Sequence, residues 1–142
     1  MFSPQFAAGP ARAQTFAAAY RQVGVQTAVS GADPHRLVAL LFDGCLEAIA
    51  QARGAIRSGQ VEAKGRAIGR AARIVDEGLR AALDHRGGGS LAADLDSLYG
   101  YLGLRLTQAN LRNDEAALDE CERLIQPLRD AWQAIAPEAA TC

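Results

Sequence analysis

The chain has no run of about 18 apolar residues, the length a helix needs to cross a bilayer, so no membrane insertion is expected. Its opening residues, Met1-Phe-Ser-Pro-Gln-Phe-Ala-Ala-Gly-Pro10, carry neither a basic n-region nor a continuous apolar h-region, which argues against a secretory signal and for a cytoplasmic protein. Cysteine is scarce: Cys45, Cys121 and Cys142 are too few and too dispersed for a disulfide framework, and a reducing compartment suits them. Charge of one sign is missing as well. Fifteen basic residues face 16 acidic ones, a formal net charge of −1, so no global field draws the chain to nucleic acid or anionic lipid.

Site chemistry is equally thin. A di-iron bundle needs Glu-x-x-His pairs, but Ala32 and Ala82 stand three residues before His35 and His85. Two histidines and three scattered cysteines show no zinc spacing. His35, Asp43 and Cys45 are eight and ten residues apart on one helix, which reads as a helix-start histidine and a buried cysteine rather than a nucleophilic set. Gly87-Gly-Gly-Ser90 has no preceding strand and no following Gly-Lys-Ser/Thr, so it is a glycine-capped turn and not a phosphate loop. No catalytic residue, metal or cofactor is expected.

What is present is helical periodicity. At 142 residues, 49% of them apolar and 22% charged, the chain suits one globular domain with a real core. Pro4, Gly9 and Pro10 mark residues 1–14 as a disordered arm, and 138–142 read as a flexible tail around a helical domain over 15–137. A short apolar segment with Phe16, Tyr20 and Val23 follows the arm. Asp33 and Pro34 then form a strong helix start, an N-cap followed by a residue whose missing N–H costs nothing at the first helical position. Helix A runs to about Arg57 with Leu37, Leu40, Leu41, Cys45, Ala48, Ala52 and Ile56 inward. Helix B follows Ser58-Gly59-Gln60 with Val61, Ala67, Ile68, Ala71, Ile74, Val75, Leu79 and Leu83. Helix C, capped by Ser90, covers about Leu91 to Arg112. Asn113-Asp114 caps helix D, with Leu118, Cys121, Leu124, Ile125, Leu128, Trp132 and Ile135 inward. Pro127 interrupts that pattern and predicts a bend or break near Gln126. Four such helices on short links predict an all-α fold, an antiparallel up-down four-helix bundle with a short N-terminal helical segment.

Three features exceed what a bundle requires. Helix C is too apolar for one buried face: Leu98, Leu102, Leu106 and Ala109 form one stripe while Tyr101, Leu104 and Leu111 point elsewhere, so it is either central in the core or partly reserved for a partner. Arg66, Arg70, Arg73 and Arg80 make a basic stripe on helix B. Glu62 and Asp76 stand four residues before Arg66 and Arg80, which favours a solvated face over an acidic partner or RNA. Gly44, Gly54, Gly65, Gly69, Gly78, Gly100 and Gly103 lie inside helices, each costing roughly 0.8–1 kcal/mol against Ala. Some permit close helix contact, and together they suit a bundle that is completed by a client.

The order and spacing of several short motifs resemble one family. Tyr20 with Val25-Gln-Thr-Ala28, Asp33-Pro-His-Arg-Leu-Val-Ala-Leu-Leu-Phe-Asp-Gly44, Gly65-Arg-Ala-Ile-Gly-Arg-Ala-Ala-Arg-Ile-Val-Asp76, the glycine turn, Leu98-Tyr-Gly-Tyr101, Gln108-Ala-Asn-Leu-Arg-Asn-Asp114 and Asp130-Ala-Trp132 are similar to the flagellar export chaperone family FliS over about residues 16–137. The chain departs from the family's habit at Asp33, where Ser is common, at Ser90, at Gly100, at Pro127 and in its extended N-terminus. The resemblance implies a helical bundle that binds the disordered C-terminal segment of flagellin, prevents its premature polymerisation and presents it to a component of the flagellar type III export gate. Leu37, Leu41, Leu98, Leu102 and Leu106 are the expected client groove, and Tyr20 and Val23 match the N-terminal segment that covers part of the client surface or touches export components. The rival is a small helical scaffold or self-associating adaptor without an export role.

Overall fold

The computed structural model describes residues 10–21, 23 and 33–135, and these contain helices and no strand. Helix α1 spans Pro10–Ala19, α2 Pro34–Arg57, α3 Val61–Arg73, α4 His85–Arg112 and α5 Glu115–Ala134. Helix α3 continues directly into a π-helical segment, Ile74–Arg80. The architecture is the expected all-α bundle, with α1 as the short N-terminal helical element.

Local chemistry sets the helix ends. Asp33 accepts a hydrogen bond from the His35 N–H at 3.0 Å, with Pro34 in the first turn of α2. Gly59, at φ 69°, closes α2: its N–H bonds the Ile56 carbonyl and the Gln60 N–H bonds the Ala55 carbonyl, the paired bonds of a Schellman end. Asn113 takes the left-handed conformation after α4, and Asp114 accepts from the Ala117 N–H to start α5.

Side-chain pairs fix the helix directions. Between α2 and α5, Asp43 meets Arg129, Arg53 meets Asp119 and Arg57 meets Glu115, so one residue number rises as the other falls. The same inversion relates α3 to α4 through Lys64–Asn110 and Arg80–Asp96, and α2 to α3 through Leu41 beside Gly78 and Gly44 beside Ile74. Helix α4 returns along α5 through Arg105–Glu120. Each neighbour is antiparallel, which makes an up-down-up-down bundle in which α2 touches α3 and α5, and α4 touches the same two.

The core stripe of α4 is the expected one. Leu98, Leu102, Leu106 and Ala109 are buried, while Tyr101, Leu104 and Leu111 are exposed. Helix α2 corrects the expected face: Val38, Phe42, Cys45, Ala48, Ile49, Ala52 and Ala55 point inward, whereas Leu40 is exposed and Leu37, Leu41 and Ile56 are only half-buried. The run from Leu37 to Phe42 is apolar throughout, so periodicity alone cannot choose its buried side. The aromatic cluster chooses it, since Phe42 meets Phe16, which in turn packs edge-on against Trp132. Val61, expected inward, is also exposed.

Three boundaries differ from expectation. Helix α4 starts at His85, capped by Asp84, which accepts from the Arg86 and Gly87 N–H groups; Gly89, at φ 55° and ψ −134°, kinks it just before Ser90. Helix α5 runs unbroken through Pro127: Pro127 and Arg123 lie on the exposed side, while Ile125, Leu128 and Trp132 are anchored in the core. Helix α1 begins at Pro10, so residues 10–14 are helical rather than part of an unstructured arm. Residues 1–9 and the expected tail at 138–142 lie outside the described residues.

Candidate binding groove

An open groove of 650 Å³ runs between α2 and the end of α3, walled by Leu37, Leu40 and Leu41 on one side and Ile74, Glu77 and Gly78 on the other. Helical spacing brings Leu37, Leu40 or Leu41, and Gly44 onto one side of α2. Glycine brings the walls together: a Cβ on Gly44 would stand 3.3 Å from the Ile74 Cδ1, and one on Gly78 would stand 3.0 Å from the Leu41 Cδ2. These two glycines allow the helices to approach, which answers part of the cost of placing glycine within them.

The π-helical segment sets the other wall. Ala71, Val75, Leu79 and Leu83 are all buried at intervals of four. An α-helix turns about 400° in four residues, so such a row would drift by about 40° per step, and the wider π turn cancels that drift. Core contact is thereby kept along the whole segment while Ile74 and Gly78 stay at the groove.

The groove gathers some of the residues expected from sequence and leaves others out. Leu37 and Leu41 line it, and Val23 forms its edge beside Ala81 and Ala82. Leu98, Leu102 and Leu106 do not reach it; they lie in the core with at most 6% exposure. Helix α4 is broadly apolar because α1, α3 and α5 all pack around it. Leu40, expected inward, is 51% exposed and is the large apolar wall residue open to solvent. Its position one turn beyond Leu37 was visible, but not which side of α2 the aromatic cluster would claim.

Tyr20 is not on the surface. Its hydroxyl bonds the Tyr99 hydroxyl at 2.6 Å, and burial first, then the neighbouring phenol, pushes its pKa well above the usual value. Next to it the Asp84 N–H bonds the Ala19 carbonyl at 2.6 Å, and Gly88 meets Ala19 so closely that a Cβ there would lie 2.8 Å from the Ala19 Cα. Helix α1 and Tyr20 thus dock on the kinked start of α4, and Val23 is carried from there to the groove's edge.

The remaining polar groups serve separate partners. His35 stacks on Trp132, Asp43 pairs with Arg129 at 2.8 Å, and the Cys45 thiol is buried with its pKa pushed up to about 12. Among the described residues no group of three or more His, Cys, Asp and Glu is placed to hold a metal ion, and no helix is long and apolar enough to cross a membrane. Lys64 is a buried cation, its Nζ donating to the Asn110 carbonyl and the Asn113 Oδ1 at the end of α4. Of the basic stripe, Arg80 is held by Asp96 at 2.8 Å and more loosely by Asp76, while Arg66 and Arg73 make no ion pair among the described residues.

Comparison with known proteins adds a family signal to this geometry. The family model described as flagellar protein FliS matches residues 16–139. The chain is 47% identical to the flagellar secretion chaperone FliS of Salmonella typhimurium, over 86% of this chain and 90% of that protein. It is 47% identical to the flagellar secretion chaperone FliSB of Pseudomonas aeruginosa, over 82% of this chain and 91% of that protein, and 37% identical to the FliS of Bacillus subtilis, over 84% and 86%.

Proposed function

The chain belongs to the FliS family, and on that premise we propose that it is a cytoplasmic flagellar export chaperone that seats the disordered C-terminal segment of flagellin in the groove between α2 and α3. Holding that segment prevents premature polymerisation and keeps the client ready for a component of the type III export gate. The observation that carries this reading is the groove itself: an apolar trough with an exposed leucine, Leu40, on its rim and no side chain of the described residues filling it. A helix with apolar residues at spacings of three and four lays that face into such a trough. Ordering a disordered segment costs about 2–5 kcal/mol, which the apolar area removed from water must exceed. Leu37 and Leu41, joined by Leu40 and Ile74, form the seat. Val23, at the rim, and Tyr20, which anchors the turn before it, belong to the segment that covers the groove's end.

Titration calorimetry with the C-terminal segment of the same organism's flagellin tests this. The expected result is one-to-one binding with a negative heat-capacity change, a gain of helicity, and a rise in the melting temperature of the chaperone. Absence of binding at about tens of micromolar contradicts it. The scaffold alternative draws on Leu104 and Leu111, exposed two turns apart on α4. It predicts concentration-dependent self-association in sedimentation experiments, with no dependence on flagellin.

A further inference from the structure

Among the seams that join helices α2 to α5, the one between α2 and α3 is charged unlike the others. Between α2 and α5, Arg53, Arg57 and Arg129 are closed onto carboxylates at 2.6–2.8 Å. Arg80–Asp96 closes the π-helical segment onto α4, and Arg105–Glu120 closes α4 onto α5. Across the α2–α3 seam the one ion pair among the described residues is Arg70–Glu47, at 3.7 Å between two largely exposed side chains. Such a pair contributes little and is readily exchanged for a better one.

Arg70 also borders the apolar groove, and a second hollow along the same seam lies beyond it. Beyond Arg70 it is floored by small residues, Gly54, Ala55 and Ala63, with Arg66 on its rim, and a neighbouring hollow on α3 adds Gly65 and Arg73. A Cβ on Gly54 or Gly65 would meet nothing within 4 Å, so this floor is open. From Leu40 to Gly54 the two hollows lie along about 14 residues of α2, roughly 21 Å, the length of a four-turn helix. Gln60, at the start of α3 in the second hollow, makes no side-chain capping bond, so the positive end of that helix dipole adds to the field.

We propose that the segment seated here is acidic: its apolar side fills the pocket at Leu40 and Ile74, and its carboxylates lie over Arg66, Arg70 and Arg73. This rests on the reading of the groove as the client's seat and adds the chemistry the client must carry. The three arginines stand at intervals of four and three on one side of α3, about 10 Å from first to last, matching carboxylates spaced over two turns of a partner helix. Arginine presents a planar fork that takes a carboxylate through two parallel bonds. An extended polyanion fits less well, because Glu62, Glu77 and the exposed Glu47 interrupt the positive strip.

The test titrates the full chain with the flagellin C-terminal segment at about 50 mM and about 500 mM salt, where screening of exposed charges differs strongly. The variants are Arg66→Gln/Arg73→Gln, a control pair Arg112→Gln/Arg123→Gln that removes the same charge elsewhere, and Leu40→Asp. All five positions are exposed, so the fold tolerates the changes. The proposal expects the Arg66/Arg73 variant to bind about tenfold more weakly at low salt, the difference to shrink at high salt, and the control pair to bind normally. Loss of binding in Leu40→Asp with no effect of salt or of Arg66 and Arg73 overturns the acidic partner and leaves the client groove standing. If the unaltered chain does not bind the segment, both readings fall. Tighter binding of single-stranded homopolymer RNA than of the segment, lost in the Arg66/Arg73 variant, overturns it in favour of a polyanion.

Discussion

His35 and Trp132 clasp each other. The indole Nε1 donates to the His35 carbonyl at 2.9 Å, the imidazole Nε2 donates to the Trp132 carbonyl at 2.9 Å, and the rings stack at 5.1 Å with 15° between planes. The pair joins the first turn of α2 to the last turn of α5 and gives the Trp132 carbonyl a second donor beside the Ile135 N–H. His35→Ala is expected to cost about 1–2 kcal/mol, from one hydrogen bond and the ring contact. Trp132→Phe removes the indole bond to the His35 carbonyl, which keeps its helical partner, and costs about 0.5–1.5 kcal/mol. Urea denaturation followed by circular dichroism, run as a double-mutant cycle, should give a coupling of at least about 0.5 kcal/mol; additive effects would show that the clasp is not a unit.

Gly88 and Gly89 make opposite predictions. At Gly88 the obstacle is space, because the added Cβ meets Ala19 and Ala92 at 2.7–2.8 Å. Gly88→Ala is expected to undock α1, abolishing hydrogen-exchange protection of Phe16–Tyr20 while the bundle persists. At Gly89 the space is open and φ is 55°, so Gly89→Ala costs about 1–2 kcal/mol of backbone strain and leaves α1 docked. Equal protection of α1 in both variants would contradict this account of its docking.

Acid should weaken the bundle through two carboxylates. The Tyr101 hydroxyl, helped by Arg105, holds Glu120 below its ordinary value of 4.5, and Arg80 holds Asp96 below 3.8. A depressed folded-state pKa means that the stabilisation is present above the ordinary value and is lost as pH falls through the folded one. Glu120→Gln and Asp96→Asn should each lower stability at pH 7 and flatten its decline below about pH 4.5. An unchanged slope would show that these pairs are not linked to folding.

Thiol chemistry reports on the core from the alkaline side. Burial pushes Cys45 and Cys121 up to about 12 from an ordinary 9.0. In a Cys142→Ser background, Ellman's reagent at pH 8 should react with neither thiol until the protein is unfolded. Stability should fall as pH rises above about 9, since unfolding then releases these protons. Rapid reaction of the native protein would mean that the α2–α5 interface opens.

The bundle was legible because its signals are local and redundant. Asp33-Pro34, Gly59 and Asp114 punctuate the helices where their chemistry says they should, and Leu98, Leu102, Leu106 and Ala109 leave α4 one choice of buried stripe. The groove was less legible. On α2 six consecutive apolar residues leave the buried side to be decided by Phe16 and Trp132, which are distant in sequence, so periodicity alone places Leu40 inward although it is exposed. Leu98, Leu102 and Leu106 lie in the core, and a helix surrounded on three sides looks, in sequence, like a helix with a side to spare. Nothing in periodicity announced the π turn beyond the run of fours from Ala71 to Leu83.

The central claim is that Leu40 belongs to the client's seat while Leu102 belongs to the core, and one titration separates them. Leu40→Asp should keep the circular dichroism and melting temperature of the unaltered chain and lose affinity for the flagellin C-terminal segment by about 2 kcal/mol or more, roughly thirtyfold. Leu102→Ala should instead lose about 2–5 kcal/mol of stability, with affinity near normal wherever the protein remains folded. Full affinity in Leu40→Asp, or a binding defect specific to folded Leu102→Ala, would contradict the placement of the groove.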